Sequence, residues 1–204
     1  MHAAAADDGP TPEHDVVCVG ASWGGLDALR VYLSGLPADF PAPICVVQHR
    51  GDDDGVTMMV ELLRRSTALT VCEAEDKQPM RDGVVYVAPA GYHLLINDGH
   101  LALSVEDRVR WSRPSVDVLF ESAAAARGCH VTAVVLTGAN DDGARGARAV
   151  HDAGGTVLVQ DPETAERAEM PRAAIETGAA DAVMPLQELA AELLRRGTQG
   201  CDPA

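Results

Sequence analysis

Aromatic side chains are nearly missing from this chain, which carries two Phe, two Trp and three Tyr in 204 residues. Its core must therefore be built from Val, Leu, Ile and Ala. Positive charge is scarce as well. Sixteen Lys and Arg stand against 31 Asp and Glu, a formal net charge of −15. Nucleic acid is excluded as a partner on that balance, because phosphate recognition needs clustered cations. The same deficit disfavours docking on an anionic membrane. No apolar run approaches the roughly 20 residues that cross a bilayer. The opening MHAAAADDGPTPEHD lacks the basic and then apolar regions of a secretory signal. The cysteines at 18, 45, 72, 129 and 201 form no CxxC pair and no metal-ligand spacing. Cys18, Cys45 and Cys72 sit inside apolar runs, where a reduced thiol packs as a small hydrophobe. These absences point to a cytoplasmic protein without membrane insertion.

What is present is a globular composition, 47% hydrophobic, of a length that suits one domain. Residues 1–14 read as a disordered tail, 15–196 as the domain and 197–204 as a short polar tail. Short apolar runs recur: VVCV at 16–19, ICVV at 44–47, LTVC at 69–72, VVYV at 84–87, VTAVVL at 131–136 and TVLV at 156–159. They are continuous rather than alternating, which marks strands buried on both faces of a parallel sheet. Helical spacing lies between many of them. Leu26, Leu29 and Leu33 share one face, as do Leu186, Leu189 and Leu193, with Ala190 and Leu194 widening the second stripe. The Ala-rich stretch from Ser115 to Arg127 predicts a helix with Pro114 at its first position. Two alternating runs around Asn97-Asp98-Gly99 predict a hairpin. The expected fold is α/β, a three-layer doubly wound and mainly parallel sheet with a small β-hairpin.

In such sheets the site lies beyond the carboxyl ends of the strands. Three of those ends carry chemistry. The first strand runs into Gly20-Ala21-Ser22-Trp23-Gly24, a GxSxG match in strand–turn–helix context, which is what a nucleophile elbow requires. The alternative is a Gly-rich turn with Ser22 as a helix cap. His49 ends the second strand, placed as a general base or as a sheet-edge histidine. Asp142 ends the 131–136 strand, able to orient an imidazole or to cap a helix. Together they are the parts of a triad. Their order, Ser then His then Asp, differs from the α/β-hydrolase order.

The segments GASWGG, VVQHR, SRPSVDVLF, VVLTGANDDG and MPRAAIETGAAD, with VVYVAPAGYHLLI among them, occur in this order. Over roughly 15–190 the chain resembles the catalytic domain of the chemotaxis protein-glutamate methylesterases. The resemblance implies a nucleophile at Ser22, a base at His49 and an acid at Asp142, with Asp141 a bystander. It also implies backbone oxyanion donors at Trp23 and Ala139. The implied reaction is hydrolysis of glutamyl methyl esters, with glutamine deamidation in some members, on methylated receptors or related signalling proteins. Neither a metal nor an organic cofactor is called for. Departures fall at Trp23, where the family is small or Thr, at Arg50-Gly51, where it has Met-Pro, and at Ala139-Asn140, where LTGMG becomes LTGAN. Fourteen leading residues cannot hold the family's usual receiver domain, so control is expected from a separate partner or not at all.

Other readings carry less. A dinucleotide site fails because Ser22 stands at the second glycine of GxGxxG and His49 at the ribose-binding acid. Asp52-Asp53-Asp54 lacks the ligand spacing of a calcium loop and reads as a solvated turn. His93, Arg113 and Arg172 are expected to be structural. A non-catalytic binding module of a signalling complex remains the rival, with Trp23 closing the pocket.

Overall fold

A computed structural model describes residues 15–49, 56–97 and 99–197. The sequence readings at 1–14, at Arg50, at Asp52-Asp53-Asp54 and beyond Gly197 lie outside the described residues. Nine strands and six α-helices occur among those described. They are β1 (Val16–Ala21), α1 (Gly25–Ser34), β2 (Ile44–Gln48), α2 (Val56–Arg64), β3 (Thr70–Glu73), β4 (Val84–Val87), β5 (His93–Asn97) and β6 (His100–Ser104). There follow α3 (Val116–Arg127), β7 (Val131–Val135), α4 (Ala144–Asp152), β8 (Thr156–Gln160), α5 (Glu169–Glu176), β9 (Ala182–Met184) and α6 (Leu186–Arg196).

Seven strands form one sheet in the order β3-β4-β2-β1-β7-β8-β9, every neighbouring pair parallel. The chain first winds outward from β1 through β2 and then returns to β7 on its other side. That reversal puts the switch point at β1. The apolar runs explain the layering. Val17, Val19 and Ala21 face a core shared with Leu29, Leu33, Leu189 and Leu193. Val16 and Cys18 face the opposite core, with Leu119, Phe120, Ala123 and Val150. A strand buried on both sides needs apolar residues at every position, and β1 is buried throughout.

The predicted hairpin is β5–β6, antiparallel and closed by pairing of Asn97 with His100. It packs on the α3 side, through Leu94, Ile96 and Leu101. Two local expectations are corrected. Pro114 is not the first helical residue: α3 starts at Val116 after Ser115, whose backbone is still extended and whose side chain caps the helix, the role in which Ser is favoured. Leu194 does not join the buried stripe of α6 but is 43% exposed, since it falls at the edge of the face set by Leu186, Leu189 and Leu193.

Candidate active site

Ser22 and His49 stand one residue beyond the registered pair Ala21–Gln48 of β1 and β2. Main-chain bonds fix both. Ser22 N donates to Thr137 O at 3.0 Å, and His49 N donates to Ala21 O at 3.0 Å. Gln48 ties the two together: its side-chain Nε2 donates to Ser22 O at 2.6 Å and to His49 O at 2.9 Å. Gly25 makes room for that amide, because a Cβ there would collide with Gln48 Oε1. The turn into α1 is closed by Gly24 with φ of 74°, and this N-cap has no side-chain hydrogen bond. Ser22 is therefore not a helix cap, and its hydroxyl bonds to no described residue.

Asp142 is 1% exposed and fully engaged. Its Oδ2 accepts from His49 Nε2 at 2.6 Å and from Val116 N at 2.8 Å. Its Oδ1 accepts from Ser115 Oγ at 2.9 Å and from Asp117 N at 3.0 Å. The carboxylate thus sits on the N-terminus of α3, where unpaired N–H groups and the helix dipole favour negative charge. Burial by itself would raise the Asp142 pKa. The bond and charge of His49, with the N–H groups of Asp117 and Val116, outweigh it and leave the pKa below the ordinary carboxylate value. Asp142 does cap a helix, but α3 rather than the α4 that follows it, whose N-cap is Gly143.

Asp117, beside it, is pushed the other way. Burial raises its pKa and the Asp142 charge adds to that, against the N–H groups of Gly146 and Gly143 and the Arg145 charge. Its Oδ1 accepts from Gly143 N at 2.9 Å and Gly146 N at 2.8 Å, pinning the start of α4 to α3. Arg110 reaches Asp117 at 3.5 Å and also pairs with Asp141. Asp141 is accordingly turned outward in an exposed ion pair, away from the imidazole.

The donor set for an oxyanion is present in part as unpaired backbone. Gly138 N is spent on Arg167 O at 3.0 Å, whereas Trp23 N and Ala139 N donate to no described residue. Trp23 is 58% exposed and its ring is tethered. Its Nε1 donates to Glu166 Oε1 at 2.8 Å, and the Arg167 guanidinium lies 5.5 Å from the ring centroid. The Thr137 hydroxyl lies 3.0 Å from Trp23 O and accepts from Arg167 N at 2.9 Å, so the β1 and β8 turns are stitched together.

The remaining candidates make contacts of their own away from the His49–Asp142 pair. His93 is buried and its Nε2–H donates to Asp107 O at 3.1 Å. Arg113 donates to Val105 O and Glu106 O, and Arg172 pairs with Glu163 at 3.6 Å on the surface. No group of three His, Cys, Asp or Glu is placed to hold a metal ion among the described residues. The sequence reading missed Gln48, Ser115, Asp117, Asn140, Glu166 and Arg167. Only Ser115 carried a local signal, as a good N-cap residue ahead of a helical stretch.

The CheB methylesterase family model matches residues 17–193. A Leptospira interrogans protein assigned as protein-glutamate methylesterase/protein-glutamine glutaminase is 42% identical over 184 residues, 89% of this chain and 94% of that one. An Anaeromyxobacter dehalogenans protein-glutamate methylesterase/protein-glutamine glutaminase is 47% identical over 176 residues, 86% of this chain but 51% of its own length. The chain therefore spans nearly all of the first relative and about half of the second. Among solved structures, the Thermotoga maritima CheB methylesterase catalytic domain superposes with a TM-score of 0.85 at 36% identity, covering 90% of this chain and 98% of that one. On the same sheet and with the His49–Asp142 pair at its switch point, these matches establish that the chain belongs to the CheB methylesterase family.

Proposed function

We propose that this methylesterase-family chain hydrolyses glutamyl methyl esters on a chemoreceptor-like signalling protein, with Ser22 as nucleophile, His49 as general base and Asp142 as the orienting carboxylate. One observation carries the assignment of roles: the 2.6 Å bond between His49 Nε2 and Asp142 Oδ2, made by the segments that follow β2 and β7, the two strands flanking β1. A carboxylate this well supplied with donors stays ionised at neutral pH, so His49 keeps its proton on Nε2. The base nitrogen is then Nδ1. The ring is presented the other way round from the serine-protease triad, where Nδ1 faces the aspartate.

In the first step Ser22 Oγ attacks the ester carbonyl as its proton passes to His49 Nδ1. Negative charge on the carbonyl oxygen is met by the N–H groups of Trp23 and Ala139, each worth roughly 3 kcal/mol in comparable oxyanion holes. The tetrahedral adduct expels methoxide, which takes the proton from His49 and leaves as methanol. Water, deprotonated by the same nitrogen, cleaves the acyl-serine to release the glutamate carboxylate. A glutamine side chain can enter the same sequence with ammonia as the leaving group, as the names of the relatives suggest. No helix among the described residues is long and apolar enough to cross a membrane, and we place the reaction in the cytoplasm. The outward tether of Trp23 to Glu166 favours an open site over the blocked binding module.

Methanol release from methyl-esterified receptor fragments tests the proposal. Wild type is expected to release methanol, while Ser22→Ala and His49→Ala do not. Release that survives Ser22→Ala would overturn the triad. A wild type inert to both the ester and a serine-directed phosphonate would restore the binding module.

A further inference from the structure

We propose that Asn140 is a positioning residue that caps the base nitrogen of His49 in the resting enzyme and must let go before Ser22 can be deprotonated. The inference rests on the triad reading above and adds a residue to it. With Nε2–H given to Asp142, the lone pair of His49 sits on Nδ1. The described group that reaches it is not Ser22 but the Asn140 side chain, whose Nδ2 lies 3.4 Å away. The amide cannot be the other way round, because its Oδ1 accepts the Asp142 N–H at 3.2 Å. That second bond turns the amino group toward the imidazole. One turn, between β7 and α4, thus holds both ring nitrogens: Asp142 takes the N–H and Asn140 donates to the lone pair.

The energetic consequence has a definite sign. Asn140 donates to a neutral Nδ1. Once Nδ1 has taken the Ser22 proton, two N–H groups face each other and the attraction is gone. A contact made in the ground state and lost in the transition state slows the step it precedes. Its length places it at the weak end of hydrogen bonds, so the brake is modest and is released by a small rotation of the amide. Ser22, whose hydroxyl bonds to no described residue, is free to take the vacated place.

The test uses the full chain and a fluorophosphonate, which needs no knowledge of the natural substrate. Ser22 Oγ attacks phosphorus, the P–O bond forms, the P–F bond breaks, fluoride leaves and the Ser22 proton goes to His49 Nδ1. Asn140→Gly removes both side-chain bonds. Asn140→Ser keeps an oxygen able to accept the Asp142 N–H but cannot reach the imidazole. Both variants are expected to label about threefold faster than wild type, the size of one weak hydrogen bond. Nitrogen NMR of the His49 ring is expected to show the Nδ1 signal moving toward that of an uncapped acceptor, with the Nε2–H signal unmoved. Labelling of Asn140→Ser at the wild-type rate or slower, in a protein with unchanged thermal unfolding, would overturn the proposal. The triad reading fails separately, and takes this proposal with it, when wild type is not labelled or when Ser22→Ala labels as fast.

Discussion

At the scale of single residues, Asp142 is where fold and chemistry meet. Four donors converge on its carboxylate: one from the His49 imidazole, one from the Ser115 hydroxyl and two from the first N–H groups of α3. Asp142→Asn keeps the shape and spoils the count, because an amide offers one acceptor oxygen to a site that needs two. Its NH2 must then face either His49, forcing the proton onto Nδ1, or the helix N–H groups. The expected loss in kcat is about ten-thousandfold, the size of the tautomer effect in the serine-protease triad, measured as methanol release. The same substitution reads out in stability. A carboxylate whose folded pKa is depressed contributes stability that is complete above its unfolded pKa of about 3.9 and is lost as pH falls through the folded value. Asp117 has the opposite sign: its raised pKa makes the ionised form a cost that acid relieves. Urea unfolding between neutral pH and strong acid is therefore expected to show a shallower acid loss in Asp142→Asn than in wild type. An equally steep loss would assign the acid sensitivity to other carboxylates.

At the scale of elements, the site depends on how closely α3 lies against β1 and α4. A Cβ on Gly20 would collide with Val116, and one on Gly143 would come within 2.7 Å of Val116 Cγ1. Gly146 is the most informative test between α3 and α4, because its added Cβ would meet Phe120 Cβ at 2.6 Å and the Asp117 backbone at 3.1 Å, and backbone cannot swing aside. Gly146→Ala is expected to destabilise the fold by about 2 kcal/mol, in the usual range for overpacking, seen as a lower urea midpoint. It should also lower kcat, because parting α3 from α4 parts the Asp142 carboxylate from its donors. Elements of this kind explain what could be foreseen. Val16–Val19 and Ile44–Val47 were legible as buried strands since burial on both faces demands an unbroken apolar run. Asn97 to Gly99 was legible as a turn, and Ser22, His49 and Asp142 as strand-end residues. Strand order was not, because β1 pairs with β2 and β7 through contacts between residues more than a hundred positions apart in the second case. The partners of Asp142 were hidden for the same reason. Ser115 and Val116 are 27 and 26 residues away, and nothing local in the sequence marks a helix start as reserved for a distant carboxylate. Gln48, Glu166 and Arg167 owe their roles wholly to which turns the sheet brings together.

At the scale of the whole molecule, the net charge of −15 becomes an argument about turnover. Each hydrolysis converts a neutral ester into a carboxylate, so the product carries one more negative charge than the substrate. A strongly acidic enzyme repels that product more than it repels the ester, which favours product release. The same field opposes the approach of any substrate already rich in glutamate. Screening is strong at physiological ionic strength, where the Debye length is about 8 Å, and weak at low salt. For an acidic, methyl-esterified receptor fragment, KM is therefore expected to fall as salt is raised from about 10 mM to 150 mM, with kcat changing little. A neutral small ester should show no such trend. The alternative outcome is equally readable. A KM that rises with salt would mean that local cations at the rim, Arg110 and Arg167 among them, outweigh the global charge where the substrate lands. Substituting those two arginines would then have to abolish the salt dependence.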